Sequence, residues 1–294
     1  MNGINGQKSV ATPVAEAGSQ PPAPVTTQTV TSPAATSGKA RRGPRRLNRK
    51  QRWLLQVAST VAILVAWEIY GRSVNPVIFT YPTAIARAFV DMLADGTLAQ
   101  AALESLVVLG IGSAVGAIAG IGIGLLAGRS DTVAALIEVP VNALYATPSV
   151  ALIPVIVVWF GFGATAKSIV VGLFVIFPVL INTMRGVREV DPDLLEVARC
   201  YCSSEPKLWR DLLIPSALPY IITGLRLAIG RGLVGVIVAE FFTAISGLGN
   251  LIVTNANSFE TARMFVPIVV IAVYGVLATA LLEWVESRLA RWHR

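Results

Sequence analysis

Between Leu98 and Ala127 the chain carries a single charged side chain, Glu104. A helix of that length runs about 45 Å, longer than the hydrocarbon core of a bilayer at about 30 Å. Comparable runs lie near 53–70, 148–162, 166–185, 216–242 and 264–284, so the segment is one of a set. Only 14% of the residues are charged and 54% are hydrophobic, where a soluble domain has roughly a quarter charged. The sequence predicts an all-α, polytopic membrane protein with about six transmembrane helices. The third span is preceded by apolar chain broken by Pro140 and Pro148, so a helix break is expected near Pro148, with the membrane portion following it. Residues 81–93, YPTAIARAFVDML, have helical apolar spacing and are read as a helix lying along the surface.

The segments flanking the spans fix its orientation. Residues 1–46 are rich in Pro, Ala, Thr and Ser and are expected to be disordered, because they cannot bury enough surface to offset chain entropy. Eight Lys and Arg then fall between Lys39 and Arg52, ahead of the first span. A tail with its basic arm over 1–50 and a transmembrane domain over 51–294 are the expected divisions. A basic cluster beside a membrane segment holds that end in the cytoplasm, and it argues against nucleic acid as the partner. With six spans the arm, Arg129, the 185–210 region and the basic tail share one side, and both termini are expected in the cytoplasm. The chain is expected to be surrounded by lipid. Two cysteines, Cys200 and Cys202, and one histidine, His293, leave too few groups for a metal or histidine-based catalytic site.

Within the second span Gly112, Gly116, Gly120, Gly124 and Gly128 recur every fourth residue. Such a row lies on one helix face and lets a neighbouring backbone approach closely, which is a packing role. Arg226, Arg231 and Glu240 fall in the fifth span. Intramembrane charges are expensive, and these three are candidates for a transport pathway or its gate. Snorkelling or pairing with a neighbouring helix is the competing structural reading of each.

The stretch 190–215 interrupts the spans with charge and proline. Asp191 and Pro192 fit the cap and first position of a short helix, Ser203 or Ser204 the cap of a second, and Pro215 opposes simple continuation into the fifth span. The expected product is a compact cytoplasmic knob held at both ends by membrane helices, able to transmit a push.

This stretch resembles the loop by which permease subunits of bacterial ABC importers meet their ATPases. The pattern is E-A-A, three residues, G, nine residues, I-x-L-P. Here Glu196, Val197 and Ala198 fill the triplet, Cys202 the glycine position, and Leu212, Ile214 and Pro215 the closing positions, with spacing kept. PVIVVWFGFG, FPVLINTMRGVREVDPDLLEVAR, LPYIITGLRLAIGRGLVGVIVAEFF and SGLGNLI extend the resemblance to permeases of the nitrate, sulfonate, taurine and bicarbonate group. The resemblance implies a type I ABC importer permease fold, with two copies forming a pore. It implies the plasma (inner) membrane of a bacterium as the location, with separate cytoplasmic ATPase subunits and an external solute-binding protein as partners. The chain contains no G-x-x-x-x-G-K-[ST], so ATP and magnesium would sit on the partner ATPase, with no cofactor and no catalytic residue here. The cargo it suggests is a small anion, an aliphatic sulfonate or taurine first, then nitrate, bicarbonate or a vitamin precursor. A secondary transporter working without ATP is the rival from another class.

Overall fold

The computed structural model describes residues 48–243 and 245–289. The chain divides into two units between Arg52 and Trp53. Of the first unit only residues 48–52 are described. The expectation of a disordered tail therefore falls outside the described residues, except that Arg49 and Lys50 already belong to a helix.

Every element is helical among the described residues. In chain order they are α1 (Arg49–Ser73), α2 (Pro82–Ala94), α3 (Thr97–Arg129), α4 (Asp131–Ala146), a 3-10 turn at Ser149–Leu152, α5 (Ile153–Phe160) and α6 (Ala164–Arg188). There follow α7 (Pro192–Cys200), α8 (Glu205–Leu208), a π-helical turn at Trp209–Leu213, α9 (Ile214–Thr243), α10 (Leu248–Asn257) and α11 (Thr261–Leu289). Five stretches, α1, α3, α6, the continuous 205–243 and α11, are long and apolar enough to cross a bilayer. α4 and the α5 segment meet at a 94° bend, and counting that pair as one broken span gives six. The break lies at Thr147–Pro148, where proline restricts the residue before it and Thr147 turns extended.

The core is a sandwich of α3, α6 and α9. Val171, Val175 and Val179 of α6 pack between Val108 of α3 and Ala228 and Val236 of α9. The glycine row is what lets α3 and α6 touch. A Cβ on Gly112 would come 2.6 Å from the Ser168 carbonyl oxygen, one on Gly116 2.6 Å from that of Gly172, and one on Gly120 2.8 Å from that of Ile176. Further along, Gly124 faces Thr183 and Gly128 faces Val187. Backbone meets backbone over four turns, so no residue with a side chain fits without parting the helices.

A second core gathers α2, α3, α10 and α11 around Met92, Leu98, Leu248 and Val266. Helix α2 contributes Ile85, Ala88 and Met92, a single face at helical spacing, while Val90 and Leu93 stay exposed. That accords with the amphipathic reading of 81–93. The 25-residue α1 buries little beyond Gly71. It is pinned by Trp67, whose Nε1 donates to the Thr80 carbonyl at 2.9 Å, and by Glu68, which accepts from the Thr83 amide and hydroxyl.

Two local expectations need correction. Ser204 stands at the N-cap of α8 but makes no side-chain cap bond. Pro215 does not stop the helix either, because the chain stays helical from Glu205 to Thr243. The π-helical turn just before Pro215 supplies the reason: a wider turn relieves the clash of the proline ring with the preceding turn and absorbs its missing N–H.

Candidate functional site

The loop 190–215 is built as a knob. Asp191 accepts the Asp193 amide at 2.9 Å and Pro192 takes the first helical position, so α7 begins where the sequence predicts. Its end is a Schellman motif: the Ser203 amide reaches the Ala198 carbonyl at 3.0 Å and the Cys202 amide reaches that of Arg199 at 2.9 Å. Cys202 is therefore the residue past the cap and adopts φ 50°, in the left-handed region. This is the backbone need that makes glycine usual there, and here cysteine meets it with strain. Both Cys200 and Cys202 are free and exposed.

The knob is anchored through residues that the motif does not contain. Leu195 of α7 and Leu208 and Trp209 of the second half pack on Val187, Val190, Leu213, Ala217 and Ile221. Arg129, at the end of α3, holds Glu205 at 2.6 Å. Glu189, just past α6, accepts from the Tyr220 hydroxyl and pairs with Arg185, and these partners hold its carboxyl below the usual carboxylate range. Of the motif residues, Glu196 and Val197 are exposed, Ala198 and Leu212 half-buried, and Ile214 and Pro215 exposed. Leu213, only 1% exposed, is the buried anchor, and its place between two apolar motif positions concealed it. On the outward side of α7, Leu194, Val197 and Tyr201 are all exposed. Their spacing puts them on one face, an apolar stripe standing clear of the knob's own core.

The intramembrane charges separate into three arrangements. Arg226 pairs with Glu286 of α11 at 2.5 Å, so it ties two helices together. Glu240, expected at an outer gate, is fully buried. It accepts the Ser105 hydroxyl at 2.6 Å and the Gly249 amide at 2.7 Å, and Ser105 Oγ accepts the Leu248 amide at 2.8 Å. Lys167 of α6 donates to the carbonyl and hydroxyl of Ser246, each at 2.9 Å. Four helices thus meet at the start of α10. Gly247, at φ 99°, is needed there, since a Cβ would lie 2.1 Å from Glu240 Oε1. Sequence reasoning missed Ser105 and Lys167, because polar residues far apart in sequence give no sign of meeting.

Arg231 differs from the other two. It is exposed, donates to the Tyr145 hydroxyl at 2.9 Å, and lies over the Tyr145 ring at 5.0 Å. Among the described residues no carboxylate lies within 4.0 Å of it.

A profile described as "Binding-protein-dependent transport system inner membrane component" matches residues 120–291, more than half the chain, including the knob and α9. The chain belongs to this family. As an ABC importer inner-membrane permease it shares 34% identity over 249 residues with an Escherichia coli protein named as an aliphatic sulfonates transport permease, SsuC. That match covers 83% of this chain and 94% of the relative. A Bacillus subtilis protein of the same name is 30% identical over 242 residues, covering 82% of this chain and 88% of that one. A solved structure titled as an amino acid ABC transporter with histidines superposes with TM-score 0.53 at 19% identity, over 69% of this chain and 97% of that one. At that identity the likeness bears on the fold alone. This permease is thus a multi-pass membrane protein with the fold of an ABC transporter permease.

Proposed function

We propose that this permease forms, with a second copy of itself, the translocation pathway of an ATP-driven importer for a small organic anion, an aliphatic sulfonate. A separate cytoplasmic ATPase docks on the knob, and a solute-binding protein outside delivers the cargo. The observation that carries this reading is the stripe Leu194, Val197 and Tyr201. It leaves apolar side chains exposed on a helix whose other face is anchored to the membrane core. An apolar patch on a rigid base is what a protein partner covers. ATP and magnesium belong to that partner in this reading. The two SsuC relatives favour sulfonate as the cargo. The basic residues at Arg129, Arg185, Arg188, Arg199 and Arg210 favour a cytoplasmic knob, with both termini on the same side.

The test is growth on an alkanesulfonate as sole sulfur source in a strain lacking this chain and any redundant importer. Wild type should restore growth, and sulfate should support growth in all strains. Val197→Asp, which buries a charge only when the partner docks, should abolish growth on the sulfonate and copurification of the ATPase while the permease stays in the membrane. Growth on sulfonate without the chain, or with Val197→Asp at wild-type rate, would overturn the proposal.

A further inference from the structure

Arg231 lies about 25 Å along the helix from Ile214 and about 18 Å from Thr243, so it is deep in the span. An exposed arginine at that depth does not face lipid cheaply. Arg226 solves the same problem with Glu286, but among the described residues the hydrogen-bond partner of the Arg231 side chain is the Tyr145 hydroxyl. The surface it occupies is therefore wet or filled by something anionic.

An independent feature converges on the same place. Tyr145 is in the last turn of α4, immediately before the 94° break, and Ser149 opens the 3-10 turn on its far side. Non-helical backbone at membrane depth is tolerated only where protein buries it or a water-filled cavity lies beside it. A cavity of about 270 Å³ does lie beside it, lined by Ser149, Leu173, Phe174, Phe177, Arg231 and Val234. Phe177 also meets the Tyr145 ring edge to face, at 6.1 Å between centroids. The lining carries the Arg231 guanidinium and the Ser149 hydroxyl, and the rest of it is aromatic, aliphatic or glycine. Gly230 adjoins the slot, and a Cβ there would meet nothing within 4 Å.

We propose that this slot is a transit subsite which takes an organic anion with a short apolar tail, an alkanesulfonate, with its head on Arg231 and its tail against Phe174 and Phe177. The proposal rests on the function given above and deepens it. A guanidinium presents paired donors to the oxygens of such a head group. A sulfonate offers three oxygens to those donors and stays ionised whether or not the slot is wet. The tail discriminates in two ways. Nitrate has no apolar body to place against the aromatic wall. Taurine would bring its ammonium to a wall where, among the described residues, no carboxylate lies within 4.0 Å of the arginine. Selection would then occur inside the membrane as well as at the delivering protein.

The test is the thermal unfolding midpoint of the purified permease in lipid nanodiscs, titrated with pentanesulfonate, taurine or sodium nitrate. Pentanesulfonate should raise the midpoint saturably, with half-effect at a concentration at least about tenfold below that of taurine or nitrate. Arg231→Gln should weaken the pentanesulfonate effect by about tenfold or more, with Arg231→Lys between. Gly230→Leu leaves the arginine in place, fills the slot, and should also remove the effect. Arg226→Gln, which alters a different intramembrane arginine, should leave the half-effect concentration unchanged. Equal responses to pentanesulfonate in wild type and Gly230→Leu, or no saturable response in wild type, would overturn the slot. Copurification with an ATPase is scored separately. A permease that carries its ATPase yet ignores pentanesulfonate refutes only the subsite, and one that binds pentanesulfonate yet carries no ATPase refutes the importer function.

Discussion

Cys202 shows how a single side chain can record a backbone requirement. The Schellman bonds fix the residue past the α7 cap in the left-handed region whatever its identity. For an L-residue that conformation costs roughly 1–2 kcal/mol, while glycine returns part of the gain through its freer unfolded chain, roughly 0.5–1 kcal/mol. The thiol is exposed. Cys202→Gly should therefore raise stability by less than about 1 kcal/mol and leave sulfonate-dependent growth intact or improved. The checks are the unfolding midpoint and the growth rate. A fall in the midpoint would show that the cysteine makes a favourable contact outweighing its backbone strain, and lost growth at normal expression would assign it a role in coupling. Phe259 ends α10 in the same way at φ 58°, with its amide on the Ala256 carbonyl and the Glu260 amide on that of Asn255. Glycine is thus not obligatory at either cap, because the two motif hydrogen bonds hold the fifth of six residues in the left-handed region whatever its side chain.

At the scale of elements, the start of α10 depends on a carboxylate from another helix. The N-terminal amides of a helix lack intrahelical partners, and here Glu240 takes that of Gly249 while Ser105 takes that of Leu248. Ser105 donates to Glu240 in turn, so one hydroxyl serves α3, α9 and α10 together. Ser105→Ala fits sterically but strands a buried amide and removes a donor from a buried carboxylate, at a cost of about 1–3 kcal/mol for each group left unsatisfied. Amide hydrogen exchange at Leu248 and Gly249 should accelerate at least about tenfold, while α6 amides across the glycine row keep their protection. Uniform acceleration through α3 and α6 would mean that the serine supports the whole bundle and not this one junction. Such junctions also mark what the sequence conceals. The long apolar runs, the row from Gly112 to Gly128, the Asp191 cap and the break near Pro148 were legible because each is a local pattern. The helix α10 was not, since its ten residues mix asparagines with apolar residues and its start is stabilised from positions 105 and 240. Nor was the passage through Pro215, because a π-helical turn that accommodates the proline leaves no pattern in the sequence. Among the candidate charges, sequence placed Arg226, Arg231 and Glu240 alike in one span, and only the partners Glu286, Tyr145 and Ser105 tell them apart.

On the scale of the whole molecule, the helical stretch from Glu205 to Thr243 joins the second half of the knob to the arginine of the slot. Glu205 is bound to Arg129 at its start, Leu213 is locked in the core below the knob, and Arg231 stands about five turns further on. A rigid helix carries a displacement of one end to the other, whereas a flexible joint lets the ends move separately. The π-helical turn at Trp209–Leu213 is continuous helix and not a hinge, since its residues keep helical hydrogen bonding and Leu213 stays buried. If ATPase docking on the knob drives the pathway, the drive passes through this turn. Inserting two glycines between Leu213 and Ile214 should therefore leave the stripe on α7 able to hold the ATPase but stop its closure from reaching Arg231. The expected result is a complex that still copurifies with its ATPase and hydrolyses ATP, yet no longer supports growth on an alkanesulfonate. An insertion of seven alanine-rich residues, two helical turns, restores a stiff and nearly in-register connection, and should recover part of the transport that the glycines abolish. Transport at wild-type rate with the two-glycine insertion would show that the drive bypasses α9, with the Arg129–Glu205 pair and α3 as the remaining rigid route.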